Sequence, residues 1–526
     1  MMRSAGKVSL AVLVSRILGL VRDQVFTSCF GVGLLNDAFY MAFRIPNLLR
    51  DLFAEGALST AFVTIFARKK AQEGDVGAWK LARLMVSFQW AILSILVFLG
   101  ILFAPEIVGL VAPDYAYEPG KMELTIRLTR ILFPFILFVG MAALSMGILN
   151  AYGRFGLPAS ASSFFNLGSI VFGLGLAWFF DPQFGEKAMI CMAIGTLGGG
   201  VLQWLVQVPA LGKLGYRYRP EWNLQDPGLR QIGKLVGPAI VGVSAVQVNV
   251  VINSIFASAF PGAVTMLAIA FRLIQLPIGM FGVAISTAAL PALTVDAALL
   301  DKQAFRRRVE HALRMNAALC IPSACGLAIL SVPLIGLLFQ RGRFDALNTI
   351  GTAHILVAYA VGLIGYASIK ILAPAFYTLN RTITPMCVSL GSIGVTFALN
   401  WFFVYRTHFG AMGLAIATSF SALFSAGILL AILSRWVGVP SPEMWKAIGK
   451  ILFASTVMSG VVAFSEWLHW KQGVPYHFLG NLSRVGVGVG LGSWTFFLVA
   501  RWLKLEEVEE VERTIGKKLR MQESPS

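Results

Sequence analysis

The sequence predicts an all-α polytopic membrane protein of about fourteen transmembrane helices. The 526-residue chain is 57% hydrophobic and only 13% charged, with a mean hydropathy of +0.74. Apolar segments of about 20 residues or more, long enough to cross a bilayer core of about 30 Å, recur from one end to the other. Because lipid offers no partners to backbone polar groups, such segments must be helices.

The predicted helices follow the apolar segments along the chain. Their spans are 8–33, 37–67, 80–112, 122–152, 157–181, 187–213, 231–260, 264–295, 309–340, 346–378, 382–405, 410–436, 445–468 and 480–503. The first segment contains Arg16, Arg22 and Asp23, unlike the core of a cleavable signal peptide.

Loop charge predicts the orientation in the membrane. The N-terminal residues and the loops at 67–83, 213–234 and 301–314 are rich in Lys and Arg, whereas "PDYAYEPGK" and "DPQFGEK" are acidic or balanced. This alternation places both termini in the cytoplasm. The net charge of +17 also includes arginines inside apolar segments, which the loop rule does not explain.

Internal repetition divides the chain. "AFRIPNL" at 42–48 returns as "AFRLIQL" at 270–276, and "LGSIVFGLGLAWFF" at 167–180 returns as "LGSIGVTFALNWFF" at 390–403. A third match relates the Arg-x-x-x-Pro sequence that begins at Arg154 to the one at Arg381. The three offsets are 228, 223 and 227, and the matches keep the same order.

The repeat predicts four parts. They are an N-terminal six-helix lobe (1–213), a C-terminal six-helix lobe (231–436), two appended helices (445–503) and a cytoplasmic tail (504–526). An even number of helices per lobe lets both enter the membrane in the same sense. The lobes are therefore expected to be related by an axis along the membrane normal, as in transporters with parallel repeats.

Ionisable residues inside apolar segments suggest function. Helix 1 carries Arg16, Arg22 and Asp23, and helix 2 carries Asp37, Arg44, Arg50, Asp51 and Glu55. At 100° per residue, Asp37, Arg44 and Glu55 fall within about 20° of one another and Asp51 about 40° away. Helix 2 therefore has a charged stripe that must face protein or water, while Arg50 points elsewhere.

The second half of the chain repeats the arginine of helix 2 but has no carboxylate near it in sequence. Arg272 is the repeat partner of Arg44 and the only charged residue between Lys234 and Asp296. An inner surface lined by these arginines carries net positive charge, and the guanidinium fork suits carboxylate and especially phosphate oxygens. The expected ligand is an anion, and a phosphate-bearing one fits this chemistry.

Structural roles compete with this interpretation. Arg16 and Arg50 could extend to the lipid headgroups, and other arginines could pair with carboxylates only to lock the fold. The carboxylates Asp23, Asp37, Asp51 and Glu55 are assigned to orienting arginines or to gating ion pairs rather than to contact with an anion.

The sequence lacks the motifs of the main enzyme classes. It contains no G-x-x-x-x-G-K-[ST], no H-E-x-x-H and no G-x-S-x-G. Its five cysteines form no C-x-x-C and no cluster with zinc spacing. No catalytic residue, cofactor or metal site is predicted, and a membrane enzyme acting on polyprenyl phosphates is disfavoured. A non-transporting scaffold remains an alternative.

Three segments closely resemble the MurJ (MviN) lipid II flippase family, part of the multidrug/oligosaccharidyl-lipid/polysaccharide exporter superfamily. They are "SRILGLVRD" (15–23), "DAFYMAFRIPNLLRDLFAEGALSTAFV" (37–63) and "AFRLIQLPIGMFGVAISTAALP" (270–291). The resemblance covers essentially the whole chain, including the helix count.

The resemblance implies a function. Family members move lipid II, the undecaprenyl-pyrophosphate-linked disaccharide-pentapeptide, from the inner to the outer leaflet by alternating access, in the bacterial inner membrane. It implies Arg16, Arg22, Arg50 and Arg272 as substrate-binding residues, to which the repeat adds Arg44. Asp37 and Glu55 match acidic motif positions, and the appended helices are implied to hold the lipid tail. Cell-wall synthesis proteins are implied as possible partners.

The chain departs from the family pattern near Arg272. Many relatives have an acidic residue directly before this arginine, where this chain has Phe271, and another often-acidic position is Gln275. Residues 231–260 and 382–405 contain no Asp or Glu, so the sodium site suggested for some relatives is not predicted. The alternatives within this fold are a flippase for another lipid-linked oligosaccharide and a drug/cation antiporter.

Overall fold

The computed structural model describes residues 2–50 and 57–509, and every regular element in those ranges is helical. The helices are α1 (Met2–Phe30), α2 (Leu34–Arg50), α3 (Ala57–Leu102), α4 (Ala104–Val111), α5 (Lys121–Leu132), α6 (Phe135–Ala151), α7 (Gly156–Phe180), α8 (Glu186–Leu205), α9 (Val208–Lys213), α10 (Pro227–Ser258), α11 (Ala263–Pro277), α12 (Ala284–Ala298), α13 (Lys302–Ile329), α14 (Ser331–Phe339), α15 (Ala346–Thr378), α16 (Ile383–Arg406), α17 (Ala411–Val437), α18 (Pro442–Lys471) and α19 (Phe478–Trp502).

The predicted class, an all-α polytopic membrane protein, is confirmed. Among the described residues, eleven helical segments are long and apolar enough to cross a membrane. The predicted helices at 8–33, 37–67 and 231–260 correspond to α1, to α2 with the start of α3, and to α10. The charges of α1 set it apart from the eleven apolar segments, and α2, with 17 residues, is shorter than they are.

The predicted loop at 67–83 is wrong, because this stretch is helical on both sides of a single break. Gly74 has φ 67° and ψ −163°, a left-handed backbone that glycine adopts without strain. Beyond the break, the Trp79 ring stacks on Tyr152 with the ring centres 5.1 Å apart. The Asp75 carboxylate accepts a hydrogen bond of 2.6 Å from the Tyr152 hydroxyl. These contacts fold α3 back onto the end of α6.

The chain divides into two compact units. The first comprises Met1–Thr265 with Arg341–Phe344, and the second comprises Met266–Gln340 with Asp345–Ser526. The repeat places residues 231–260 in the C-terminal lobe instead, and the predicted lobe boundaries stay a prediction.

Apolar cores within the first unit position α1, α2 and α5. Phe26 of α1 and Phe39 of α2 are buried together, with ring centres 4.5 Å apart, and pack with Leu128 of α5 and Met189 of α8. Glycines allow close helix packing nearby: a Cβ added to Gly168 of α7 would lie 2.9 Å from the Gly199 Cα of α8. This apolar packing fixes the position of α2 and of the polar side chains that it carries.

The second unit has its own core. Phe305 and Leu313 of α13 pack with Leu372 of α15 and Leu429 of α17. The appended helix α18 joins α13 and α19 through a further cluster that includes Ile451 and Ala500. The appended pair is therefore an integral part of the second unit.

Candidate substrate-binding and gating site

Asp37 of α2 is a fully buried carboxylate that caps the start of α11. It accepts hydrogen bonds from the Gly262 amide at 2.7 Å, the Thr265 amide at 3.0 Å and the Thr265 hydroxyl at 2.7 Å. The first amides of a helix have no partner within the helix, so a carboxylate placed there satisfies them. Asp37 thereby ties α2 to residues 262–265 of the first unit.

Lys121 is the cationic partner of Asp37, and the sequence analysis missed it. Its side chain is fully buried, with Nζ 3.2 Å from Asp37 Oδ2 and 3.1 Å from Glu118 Oε1. The Tyr115 ring lies below the ammonium, 4.2 Å from Nζ to the ring centre. A signal was present in the sequence, because a lysine in the first turn of a helix opposes the helix dipole and calls for a nearby carboxylate.

Arg22 of α1 is the predicted binding residue that lies deepest. It is 8% exposed, and its Nη2 donates to Asp23 Oδ1 at 3.1 Å. Its guanidinium carbon lies 5.3 Å from the Phe165 ring centre and 5.9 Å from that of Phe43. Cation–π contacts of this kind fix the plane of the guanidinium. Asp23 is also buried, and its orienting role stays a prediction.

Arg44 of α2 lies two turns beyond Asp37 and contacts α10. Its Nη1 donates to the Ser254 hydroxyl of α10 at 2.8 Å. Asp37 and Arg44 therefore both reach residues 254–265, which agrees with the stripe expected on helix 2. The other two members of the stripe, Asp51 and Glu55, lie outside the described residues.

The remaining predicted arginines occupy different environments. Arg16 is exposed on α1, and Arg50 is half-buried as the last residue of α2. Arg272 is half-buried on α11 in the second unit. Its neighbour Phe271 makes edge contacts with Tyr359 and Tyr366, with ring centres 5.3 and 5.8 Å apart. An aromatic cluster thus occupies the position where the family pattern places an acid.

A second buried ion pair, in the appended helices, also escaped the sequence analysis. Arg484 of α19 is fully buried and donates to Glu466 of α18 at 3.0 Å, to the Tyr476 hydroxyl at 3.2 Å and to the Val474 carbonyl at 2.8 Å. An arginine within an apolar segment is itself a signal for such a partner.

The side chains of this candidate site are suited to charge recognition. The guanidinium of Arg22 on α1 lies near aromatic rings, that of Arg44 on α2 donates to a hydroxyl, and Asp37 is held by Lys121 and backbone amides. Together with the helical membrane fold, charged side chains held inside membrane helices are typical of a polytopic transporter.

Known proteins place this transporter in a family. The family model for "Lipid II flippase MurJ" matches residues 26–483. The probable lipid II flippase MurJ of Vibrio cholerae is 33% identical over 97% of this chain and 98% of the relative. The lipid II flippase MurJ of Burkholderia cenocepacia is 35% identical over 87% of each. The chain belongs to the lipid II flippase MurJ family.

Solved structures agree with this assignment. An inward-closed lipid II flippase MurJ superposes with a TM-score of 0.76 at 26% identity, covering 94% of this chain and 99% of that one. An inward-facing MATE family transporter of the MOP superfamily gives a TM-score of 0.68 at 14% identity, covering 82% of this chain and 98% of that one. The second match shows the shared transporter fold alone.

Proposed function

We propose that this protein is a lipid II flippase, a transporter and not an enzyme. Its substrate is the undecaprenyl-pyrophosphate-linked disaccharide-pentapeptide, which it carries from the inner to the outer leaflet by alternating access. The observation that carries the proposal is the family match over residues 26–483 in a chain whose membrane helices hold fixed arginines. Burial of cations in lipid is costly, so their retention favours an anionic substrate.

Arg22 and Arg44, with Arg16, Arg50 and Arg272, bind the pyrophosphate in this proposal. Guanidinium groups donate two parallel hydrogen bonds to phosphate oxygens, which a lysine cannot reproduce. The Asp23 contact and the aromatic rings beside Arg22 set its orientation before the substrate arrives. Because the Arg22 side chain is already ordered, binding of the substrate does not carry the entropic cost of ordering it.

Asp37 acts as a gating residue and not as a ligand in this proposal. Its oxygens are already engaged by Lys121, Gly262 and Thr265, and a carboxylate repels phosphate. The conformational change of alternating access requires these hydrogen bonds to break together. Transport also requires that the arginines bind the pyrophosphate unequally in the two states, since equal affinity shifts no equilibrium. Asp51 and Glu55 are assigned the same orienting or gating role from the sequence.

The proposed setting is the bacterial inner membrane, with both termini in the cytoplasm as the loop charges predict. The appended pair α18 and α19 is proposed to hold the prenyl tail, and cell-wall synthesis proteins are proposed partners. A drug/cation antiporter of the same fold would need carboxylates at its binding site. Residues 235–295 contain none, which favours an anionic cargo.

Complementation of a flippase-depleted bacterium tests the proposal, combined with an assay of lipid II accessibility at the outer leaflet. We expect the wild-type chain to restore growth and accessibility, and Arg22→Ala and Arg272→Ala to fail at normal protein levels. Full growth of both variants would refute the arginine mechanism. Unchanged lipid II accessibility on depletion of the wild-type protein would refute the flippase assignment itself.

A further inference from the structure

A groove on the second unit, between α16 and α17, has no role in the function proposed above. Its volume is about 700 Å³, within the range of about 300–1,000 Å³ that ligand sites occupy. Ile383 and Val388 line the groove from α16, and Phe424 and Ile432 line it from α17. Both helices are apolar enough to cross a membrane, so an open apolar groove between them faces acyl chains.

One end of the groove is basic. Arg435 and Trp436 line it there, and the exposed Arg381 stacks on Trp436 with 3.1 Å between its guanidinium carbon and the ring centre. Residues 379–442 contain no Asp or Glu, so neither helix nor their connection supplies a carboxylate to these arginines. The groove therefore joins an apolar channel to two cations and an indole ring.

The repeat shows that this groove is particular to the second half. The offset of 223 aligns Gly391 of α16 with Gly168 of α7. A Cβ on Gly168 would lie 2.9 Å from the Gly199 Cα, whereas a Cβ on Gly391 would meet no atom within 4 Å. The smaller cavity between α7 and α8, of about 410 Å³, is lined without any charged residue. At the position equivalent to Gly391 the first half is thus closed by Gly199, whereas the second half is open there and has two arginines beside the opening.

We propose that this groove binds an anionic phospholipid. An acyl chain lies along Val388, Gly391 and Phe424, and the phosphate is bound by Arg381 and Arg435. Basic pockets between transmembrane helices recognise anionic headgroups in this way. The Trp436 ring lies at the level of the headgroup, where tryptophan is favoured, and its contact with Arg381 orders that guanidinium.

The apolar part of the proposal is tested by filling the groove. Gly391→Trp places an indole in the channel, whereas Gly394→Trp adds the same side chain to the same helix at a position that does not line it. A Cβ at either glycine meets nothing within 4 Å, so both substitutions start from open space on α16. Native mass spectrometry of the full chain, titrated with phosphatidylglycerol, should show loss of one tightly bound lipid for Gly391→Trp only.

The charge is tested by Arg381→Gln/Arg435→Gln. The control is Arg406→Gln at the other end of α16. The guanidinium carbon of Arg406 also lies near an aromatic ring, 5.7 Å from the centre of the Trp401 ring. The wild-type chain should prefer phosphatidylglycerol to phosphatidylcholine. The double variant should lose that preference by about tenfold or more, since each arginine contributes to headgroup attraction. The control should keep it.

Three results would overturn the proposal. They are equal binding of phosphatidylglycerol and phosphatidylcholine by the wild-type chain, unchanged preference in the double variant, and displacement of phosphatidylglycerol by stoichiometric undecaprenyl phosphate. The last would assign the groove to the prenyl substrate. If Gly391→Trp fails to fold, as judged by gel filtration, the arginine variants decide the question alone.

Discussion

Asp37 and Lys121 form an ion pair in which both side chains are fully buried, with 3.2 Å between Oδ2 and Nζ. The same carboxylate accepts hydrogen bonds from Gly262 and Thr265 at the start of α11. One side chain therefore holds α2, α5 and the first turn of α11 together. Because removal of either charge leaves the other buried, the pair makes the first unit sensitive to substitution at both positions.

Lys121→Met should destabilise the protein by about 3–5 kcal/mol, the cost of leaving a buried carboxylate without its cation. Lys187→Met, at an exposed position on α8, should change stability by less than about 0.5 kcal/mol. Thermal unfolding of the purified protein in detergent measures both. The double variant Asp37→Asn/Lys121→Met should cost less than the sum of the two single changes, because no unpaired charge remains.

The helix cap makes a separate prediction for local opening. Asp37→Ala removes the acceptor for the Gly262 and Thr265 amides. Loss of this cap alone costs about 1 kcal/mol, and the unpaired Lys121 adds to it, so the hydrogen exchange of these amides should accelerate by about fivefold or more. Asp345→Ala is the matched control, because Asp345 caps α15 through the Asn348 amide at 2.8 Å. It should accelerate exchange at the start of α15 and leave residues 262–265 unchanged. Equal protection of residues 262–265 in wild type and Asp37→Ala would show that the cap does not hold α11.

Arg22 should not tolerate lysine. Its guanidinium lies near the Phe43 and Phe165 rings, and an ammonium reproduces neither the planar stacking nor the paired hydrogen bonds to phosphate. We expect Arg22→Lys to reduce complementation and lipid II accessibility by about tenfold, corresponding to about 1.4 kcal/mol. Arg127→Lys, at an exposed position on α5 outside the proposed binding set, should keep more than half of the activity. Equal activity of the two variants would contradict a geometric role for Arg22.

The sequence predicted the helical membrane fold and much of the polar site because the relevant signals are local. Arg22, Asp23, Asp37 and Arg44 stand out as charges in apolar segments, and helical periodicity places Asp37 and Arg44 on one face. The helical course of residues 67–83 was missed because polar, charged composition resembles that of a loop.

Partners distant in sequence were harder to predict. Lys121 lies 84 residues from Asp37, and no periodicity links them. The pair Glu466–Arg484 spans 18 residues and a turn, and a search for partners of isolated membrane charges would have found it. The open groove beside Gly391 depends on how far two helices separate, which the matching repeat sequences do not encode locally.

The segment after α19 should respond to acid. Glu506 and Glu507 both pair with Arg314 of α13, and the hydrogen bond and charge of Arg314 hold the pKa of Glu506 below its ordinary value of 4.5. A lowered pKa stabilises the docked segment above pH 4.5, and this contribution is lost as the pH falls through the lowered value. Because Glu506 is largely exposed, the effect on global stability should be small.

Hydrogen exchange of residues 503–509, corrected for the intrinsic pH dependence, measures this release. Protection should fall below pH 4.5 in the wild type and be low at every pH in Arg314→Gln. Arg307→Gln changes an exposed arginine of the same helix that contacts Gln303, and it should behave as the wild type. Retention of full protection by Arg314→Gln at neutral pH would show that apolar contacts alone dock the segment.

Close packing of α7 on α8 gives the last prediction. A Cβ on Gly195 of α8 would overlap the backbone of Gly173, whereas one on Gly175 of α7 would meet no atom within 4 Å. Backbone atoms cannot move aside as a flexible side chain can, so Gly195→Ala should destabilise the first unit by about 1–3 kcal/mol. Gly175→Ala should be neutral or stabilising by up to about 1 kcal/mol, since alanine favours the helix. Thermal unfolding compares the two, and equal melting temperatures would mean that α7 and α8 separate readily enough to admit a methyl group.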